Sequence, residues 1–427
     1  MLNWTKRFNI FCFLDNHLYQ GEPRSAECLL AAGVKRQLKA GAGNALELLQ
    51  NFIDHNYWSD GNRQTSRHTR SWVFGHLGYD LKNEIEHLSS SHTTGLWFPD
   101  IFFFEPENII RLNEKEMIIE ATDAEKIYTE IITESPAVTI TLCKEVTIQN
   151  RLSKEEYISV VQQLRRHILR GDCYEINFCL EFFAENAKIY PLAVYQKLST
   201  VSPNPFSALY RMDDQWLICA SPERFLYKKG NIILSQPIKG TAERVAGDIE
   251  KDKRSKDELL HSAKDRSENV MVVDLVRNDL ARICKEGTVK VDELFGIYSF
   301  PQVHQMISTI SGELEEAISF ADIIWATFPM GSMTGAPKKR VMELIEQYEK
   351  TKRGIFSGAL GYITPGGDFD FNVVIRSIMY NVATGYISYL AGSGITFYSD
   401  PEKEWEECLL KAAAMRKVLG EYTFKRV

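Results

Sequence analysis

The sequence predicts an α+β fold with largely antiparallel sheets, and two observations point there. Short apolar or alternating runs follow one another with only turn residues between them, most clearly over 207–235. Helical periods interrupt these runs singly instead of alternating strictly with strands, the pattern of α+β rather than parallel α/β chains. A chain of 427 residues, 44% hydrophobic and 25% charged, has ample material for a large core and suggests two or three domains.

In order, an apolar run over 8–14 reads as a strand. A helix over 44–55 places Leu46, Leu48, Leu49 and Phe52 on one stripe. Residues 71–77 read as a strand, and the segments 97–104 and 117–119 add more. A helical period over 123–132 is followed by a β-rich run at 138–142. The polar stretch 149–152 reads as a linker, which divides the chain into an N-terminal α/β domain, 1–150, and a second domain, 151–427.

The second part opens on Ser153-Lys154-Glu155-Glu156, a capping-box pattern, before Tyr157, Val160, Val161, Leu164 and Ile168 at helical spacing. Gly171-Asp172 stops that helix, and 173–183 reads as a strand. A helix over 191–200 precedes a meander of strands at 207–212, 216–220, 225–228 and 231–235.

After the last of these, Pro237 removes a ladder donor and ends the strand, which leaves Lys239 on a loop between Ile238 and Gly240. A lysine so placed is either a held amine or a solvated turn residue. Glu223, in Ser221-Pro222-Glu223-Arg224-Phe225, lies sixteen residues earlier at the junction of two strands, so adjacent antiparallel strands can bring it to Lys239 at one sheet end. The two are either an acid and amine catalytic pair or a surface salt bridge worth at most about 1 kcal/mol.

The charged segment 248–264 reads as one long solvated helix running on into 266–280, where apolar residues crowd every face and predict burial. Glu268, Asp274, Arg277 and Asp279 there need partners or a metal. Ser399-Asp400-Pro401 starts a last helix with Glu404, Glu407 and Lys411 on one stripe. Glu268 and Glu407 would suit Mg²⁺, which takes few carboxylates and leaves positions for a substrate oxygen. The other reading is exposed helix charge with an i,i+4 pair between Glu407 and Lys411. Glycine-rich strings at 331–338, 358–362 and 391–395 have neither Walker nor Rossmann spacing, and they offer backbone N–H groups to a carboxylate.

A net charge of −7 and a pI near 5.8 argue against nucleic acid as a partner. The eight cysteines are scattered, with no zinc spacing, and read as apolar fillers in a reducing compartment. No run approaches the ~18 to 20 apolar residues of a membrane span. The expected location is the cytoplasm, with no membrane partner.

The strings Ser221-Pro222-Glu223-Arg224-Phe225, Pro237-Ile238-Lys239-Gly240-Thr241, Glu268-Asn269-Val270-Met271-Val272-Val273-Asp274-Leu275-Val276-Arg277-Asn278-Asp279, Thr334-Gly335-Ala336-Pro337-Lys338, Ile375-Arg376-Ser377 and Ala391-Gly392-Ser393-Gly394-Ile395 together resemble the chorismate-utilising enzymes, in that family's order. The resemblance covers roughly 150–420 and adds Gly75-His76-Leu77-Gly78-Tyr79-Asp80 in the N-terminal region, which shows no tryptophan-pocket string. It implies a two-lobed sandwich of mainly antiparallel sheets flanked by helices, with the active site in the cleft. Lysine as the third residue of Pro-Ile-Lys-Gly-Thr resembles the branch that aminates chorismate at C4; anthranilate-forming members resemble Pro-Ile-Ala-Gly-Thr.

The resemblance implies these roles. Mg²⁺ is held by Glu268 and Glu407, with Glu404 acting through water. Arg376 and the backbone of Gly392, Ser393 and Gly394 bind carboxylate, with Thr241 and Lys411 nearby. Glu223 protonates the C4 hydroxyl, Lys239 attacks C2 as a neutral amine favoured by burial and a nearby Mg²⁺, and His304 positions the ring. Asn177 and Tyr174 lend structural support. The chain has no glutaminase signature, so ammonia is expected from a separate glutamine amidotransferase subunit. Two other readings remain: an anthranilate synthase component I, which would release anthranilate without a lyase partner, and a non-catalytic chorismate- or tryptophan-binding regulator, which would have lost a catalytic group.

Overall fold

Two antiparallel sheets, of eleven and ten strands, carry the fold in the computed structural model, which describes residues 1–19, 28–55, 71–134, 146–245, 247–300 and 303–420. Strand Ile10–Asp15 shows why its run is apolar throughout. Phe11 and Phe13 pack towards Tyr195 and Trp216, while Cys12 and Leu14 fall in the core that also holds Phe74, Phe103 and Phe371 of the other sheet. A strand covered on both faces has no reason to alternate apolar with polar. Helices Lys154–Leu169, Pro191–Val201, Lys338–Tyr348 and Pro401–Gly420 pack on the eleven-stranded sheet. Helices Ala45–His55, Ile249–His261 and Ala263–Ala281 pack on the ten-stranded one. The fold class is therefore the expected sandwich.

Strands from before residue 150 enter both sheets. Ile10–Asp15 lies between Phe206–Met212 and Cys28–Ala32, and Val73–Leu77 lies between Ala359–Ile363 and Ile101–Glu105. The boundary near 150 divides neither sheet. Gln149–Asn150, read above as linker, is a short strand paired with Phe183 and Phe182. The strand expected at 138–142 lies outside the described residues.

The capping box forms as the sequence requires: Ser153 Oγ accepts from the Glu156 N–H at 3.2 Å and Glu156 Oε2 accepts from the Ser153 N–H at 2.7 Å. The single long helix does not. Ile249–His261 ends at Ser262, whose extended backbone and hydroxyl, accepting from the Asp265 N–H at 3.3 Å, start a new helix, Ala263–Ala281. That second helix is not buried all round. Glu268, Asn269, Val272, Val273, Val276, Asp279 and Leu280 form the inner stripe, whereas Val270 is exposed and Asp274 pairs with Arg277 on the surface at 3.2 Å. A 3.6-residue period buries one side, whatever the apolar count on the others.

The expected meander is split between the sheets. Phe206–Met212 and Gln215–Ser221 belong to the first, Arg224–Lys229 and Ile232–Gln236 to the second, and the chain crosses at Ser221-Pro222-Glu223. Pro222, with no N–H to give a ladder, suits such an exit. A second crossing returns from Phe369–Val373 to Ser377–Asn381 through 374–376, with Arg376 at φ +49°. The crossings are bonded to each other, Val373 N–H to Glu223 O at 3.0 Å and Ala220 N–H to Arg376 O at 3.2 Å.

Candidate active site

The paired crossings deliver an acid and a cation side by side. Glu223 is buried, and Ser332 Oγ donates to its Oε1 at 2.6 Å. Burial pushes the Glu223 carboxyl up to about 7, against the pull of Ser332, Lys239, the Ile238 N–H and Arg376. Burial lowers the Arg376 guanidinium to about 10, with the Glu223 charge opposing. The Arg376 side chain makes no hydrogen bond or salt bridge among the described residues. A planar fork of donors left open in a cleft fits a carboxylate ligand.

Lys239 lies within strand Ile238–Glu243, not on a loop. Pro237 does end the preceding strand, but a new one begins at once, and its pairing with Val303–Glu313 slips between Ile238 and Thr241, with Gly240 at φ +92°. The irregularity re-aims the lysine. Its Nζ reaches from the second sheet to Glu175 Oε1 of the first, at 2.6 Å, with both side chains buried. Burial alone would depress the ammonium. The carboxylates of Glu175, Glu268 and Glu223 outweigh it and raise Lys239 above the usual lysine range. With three acids facing it, burial alone does not neutralise the amine. Thr241, two residues on, is exposed.

Beside this pair, three carboxylates from two helices face one ammonium. Lys264 Nζ lies 3.2 Å from Glu404 Oε1, 3.4 Å from Glu407 Oε2 and 3.8 Å from Glu268 Oε1. Burial raises the Glu268 carboxyl to about 7 against the Lys239 and Lys264 charges. Burial acts on Glu407 in the same direction, but Lys411 and Lys264 hold its carboxyl down at about 2. Glu268 Oε1 and Glu404 Oε2 are buried without a hydrogen bond. No three acidic, histidine or cysteine side chains among the described residues are drawn to metal-ligand spacing. Hard oxygen donors, two of them unsatisfied, around a place already taken by a cation are nevertheless a donor set that fits Mg²⁺.

The i,i+4 pair also forms: Lys411 Nζ lies 2.8 Å from Glu407 Oε1 and donates to Gly392 O at 3.0 Å. Gly392, Ser393 and Gly394 lie in strand Tyr386–Ile395, paired with Cys179, Phe178 and Asn177 on one edge. On the other edge its pairing with Ser377–Asn381 ends at Ser388. His304 is buried, with Nδ1 2.8 Å from Ser299 Oγ and Nε2 3.2 Å from Asp252 Oδ1, so both ring nitrogens are engaged away from the acids around Lys239. Asn177 Nδ2 donates to Ser332 O at 3.0 Å and so supports the segment that holds Glu223, whereas the Tyr174 side chain is exposed and only its backbone N–H, donating to Ala336 O at 2.8 Å, ties that residue to the glycine string.

Sequence reasoning missed Glu175, Ser332 and Lys264. The signals were present but weak: an acid inside the apolar run 173–183, a hydroxyl within a glycine string, and a lysine four residues before Glu268.

A family model described as chorismate binding enzyme matches residues 15–417. The chain is 35% identical over 354 residues to the anthranilate synthase component I-like protein of Synechocystis sp., covering 82% of this chain and 72% of that one. It is 33% identical to aminodeoxychorismate synthase component 1 of Bacillus subtilis, over 81% of this chain and 76% of that one, and to the Escherichia coli protein of that name over the same shares. Among solved structures, anthranilate synthase component I from Streptococcus pneumoniae superposes with a TM-score of 0.79 at 24% identity, covering 94% of each chain. The menaquinone-specific isochorismate synthase of Escherichia coli superposes with 0.76 at 17% identity, over 98% of this chain and 91% of that one. At those identities the likeness is one of fold.

Proposed function

Since the chain belongs to the chorismate binding enzyme family, we propose that it is the synthase component that aminates chorismate at C4 to 4-amino-4-deoxychorismate, with ammonia from a glutamine amidotransferase subunit. One observation carries this reading: a buried lysine two residues after Pro237 reaches from one sheet to the other and feels the charge of the acid Glu223. The names of the relatives, component 1, support a separate partner.

Each residue then has a task. Arg376 grips a carboxylate of the substrate. Glu223, protonated up to about pH 7, gives its proton to the departing C4 hydroxyl, which cannot leave as hydroxide. Lys239 bonds to C2, shifts the double bonds and opens C4 to ammonia, which enters as the lysine leaves. Glu268 and Glu407, with Glu404, would hold Mg²⁺, whose charge would offset the ring carboxylate among these acids. Lys264 would have to give up its place among these acids to it.

Replacement Lys239→Ala tests the reading. Chorismate should still bind, aminodeoxychorismate synthesis should fall by several orders of magnitude, and products of attack at C2, isochorismate or a 2-amino adduct, should leak slowly. A salt-bridging lysine would cost less than about tenfold. Mass-resolved products within tenfold of wild type, still substituted at C4, would overturn it. Anthranilate release without a lyase would instead indicate the anthranilate synthase alternative, which the Synechocystis relative keeps in view.

A further inference from the structure

We propose that Glu175 is the base that readies Lys239, an inference that rests on the reading of Lys239 as the C2 nucleophile. The amine faces three acids but hydrogen-bonds to one, Glu175, at 2.6 Å. That bond joins the two sheets, since Glu175 opens strand Glu175–Ala184 of the first and Lys239 lies in the second. The environment is built around the pair. Gly394 stands where a Cβ would come within 2.5 Å of Glu175 Oε1 and 3.0 Å of Lys239 Nζ, so only glycine leaves the contact undisturbed. Glu175 Oε2 is buried without a partner, which leaves one oxygen of the carboxylate uncommitted while the other takes a proton.

A charged lysine has no lone pair to attack with, so a proton must leave Nζ first. It passes along the existing bond to Glu175 Oε1. The Nζ–C2 bond forms, C1=C2 becomes C1=C6, C5=C6 becomes C4=C5, and the C4–O bond breaks as Glu223 supplies the proton that turns hydroxide into water. Ammonia then bonds to C4, the double bonds return, and the C2–Nζ bond breaks. Lys239 recovers its proton from Glu175, and the new ammonium returns one to Glu223. The sum is chorismate plus ammonia giving aminodeoxychorismate plus water.

The test is intact-protein mass against time for wild type, Glu175→Gln and Glu175→Asp, each with Mg²⁺ and chorismate but no ammonia, beside chorismate affinity and circular dichroism for each variant. The glutamine keeps volume and a hydrogen-bond acceptor but cannot take a proton. Adduct formation should slow by roughly 10²-fold or more in Glu175→Gln, with affinity changed little, and recover partly in Glu175→Asp. An adduct rate in Glu175→Gln within threefold of wild type, or equal loss in both variants with weakened chorismate binding, overturns the proposal and leaves the lysine mechanism standing. A wild type that shows no adduct at any time without ammonia, yet makes product once ammonium is added, overturns both.

Discussion

Ser332 holds Glu223 by a 2.6 Å hydrogen bond across the seam where the chain changes sheets, while burial raises that carboxyl to about 7. An acid so placed keeps its proton on about half the molecules at neutral pH, and a serine that donates to its carboxylate form sets how far the rise goes.

Turnover should therefore fall as pH rises through about 7, where Glu223 loses its proton. Ser332→Ala removes a contact that lowers the value, so the alkaline limb of the kcat profile should move to higher pH. Glu223→Gln should lose roughly 10²- to 10⁴-fold in kcat and lose that limb. A profile unchanged in Ser332→Ala would remove the serine from this role.

Chelation should abolish turnover, because without the metal the substrate carboxylate would approach three carboxylates whose shared ammonium, Lys264, leaves them in negative excess. Lys264→Met strips the one ammonium those acids share, so the variant should unfold at lower temperature than wild type in EDTA and gain more from added Mg²⁺. Equal Mg²⁺ stabilisation of wild type and Glu404→Gln would argue against the site.

The purified chain should use ammonium salts and not glutamine as nitrogen donor. Product from glutamine alone, followed by mass, would reveal an amidase site in this chain.

Arg353 should be worth more to stability than any surface charge. It pairs with Glu349 at 2.6 Å, both buried, and donates to Met333 O at 2.7 Å and Asn177 O at 2.8 Å. Those carbonyls belong to the segments carrying Ser332 and Glu175. Arg353→Met leaves Glu349 buried with the Cys179 N–H but no counter-charge and should cost about 3–5 kcal/mol in urea unfolding. A loss below 1 kcal/mol would contradict the geometry.

Most elements were legible because their periods are local: the capping box at Ser153, the helix from Pro401 and the strands around 206–236 need only neighbouring residues. What the sequence could not carry was which sheet each strand joins. A crossing such as Ser221-Pro222-Glu223 looks like a turn in a meander, since turn chemistry is the same either way. The charge state of Lys239 was hidden for the same reason. Burial is readable from apolar neighbours, but Glu175 lies 64 positions away and only the closed sandwich sets it opposite the amine. Glu223, Glu268 and Arg376 stand in motif strings, and Glu404 and Glu407 share a helical stripe, so these candidates could be picked out from local sequence.

The interleaving of early and late strands bears on how the protein can be cut. A fragment starting at residue 151 would bare one whole edge of Phe206–Met212 and one of Ala359–Ile363, each a row of unpaired N–H and C=O groups beside apolar side chains. Such edges template aggregation. The part that carries the candidate site thus relies on strands from before residue 151 to cover its sheet edges.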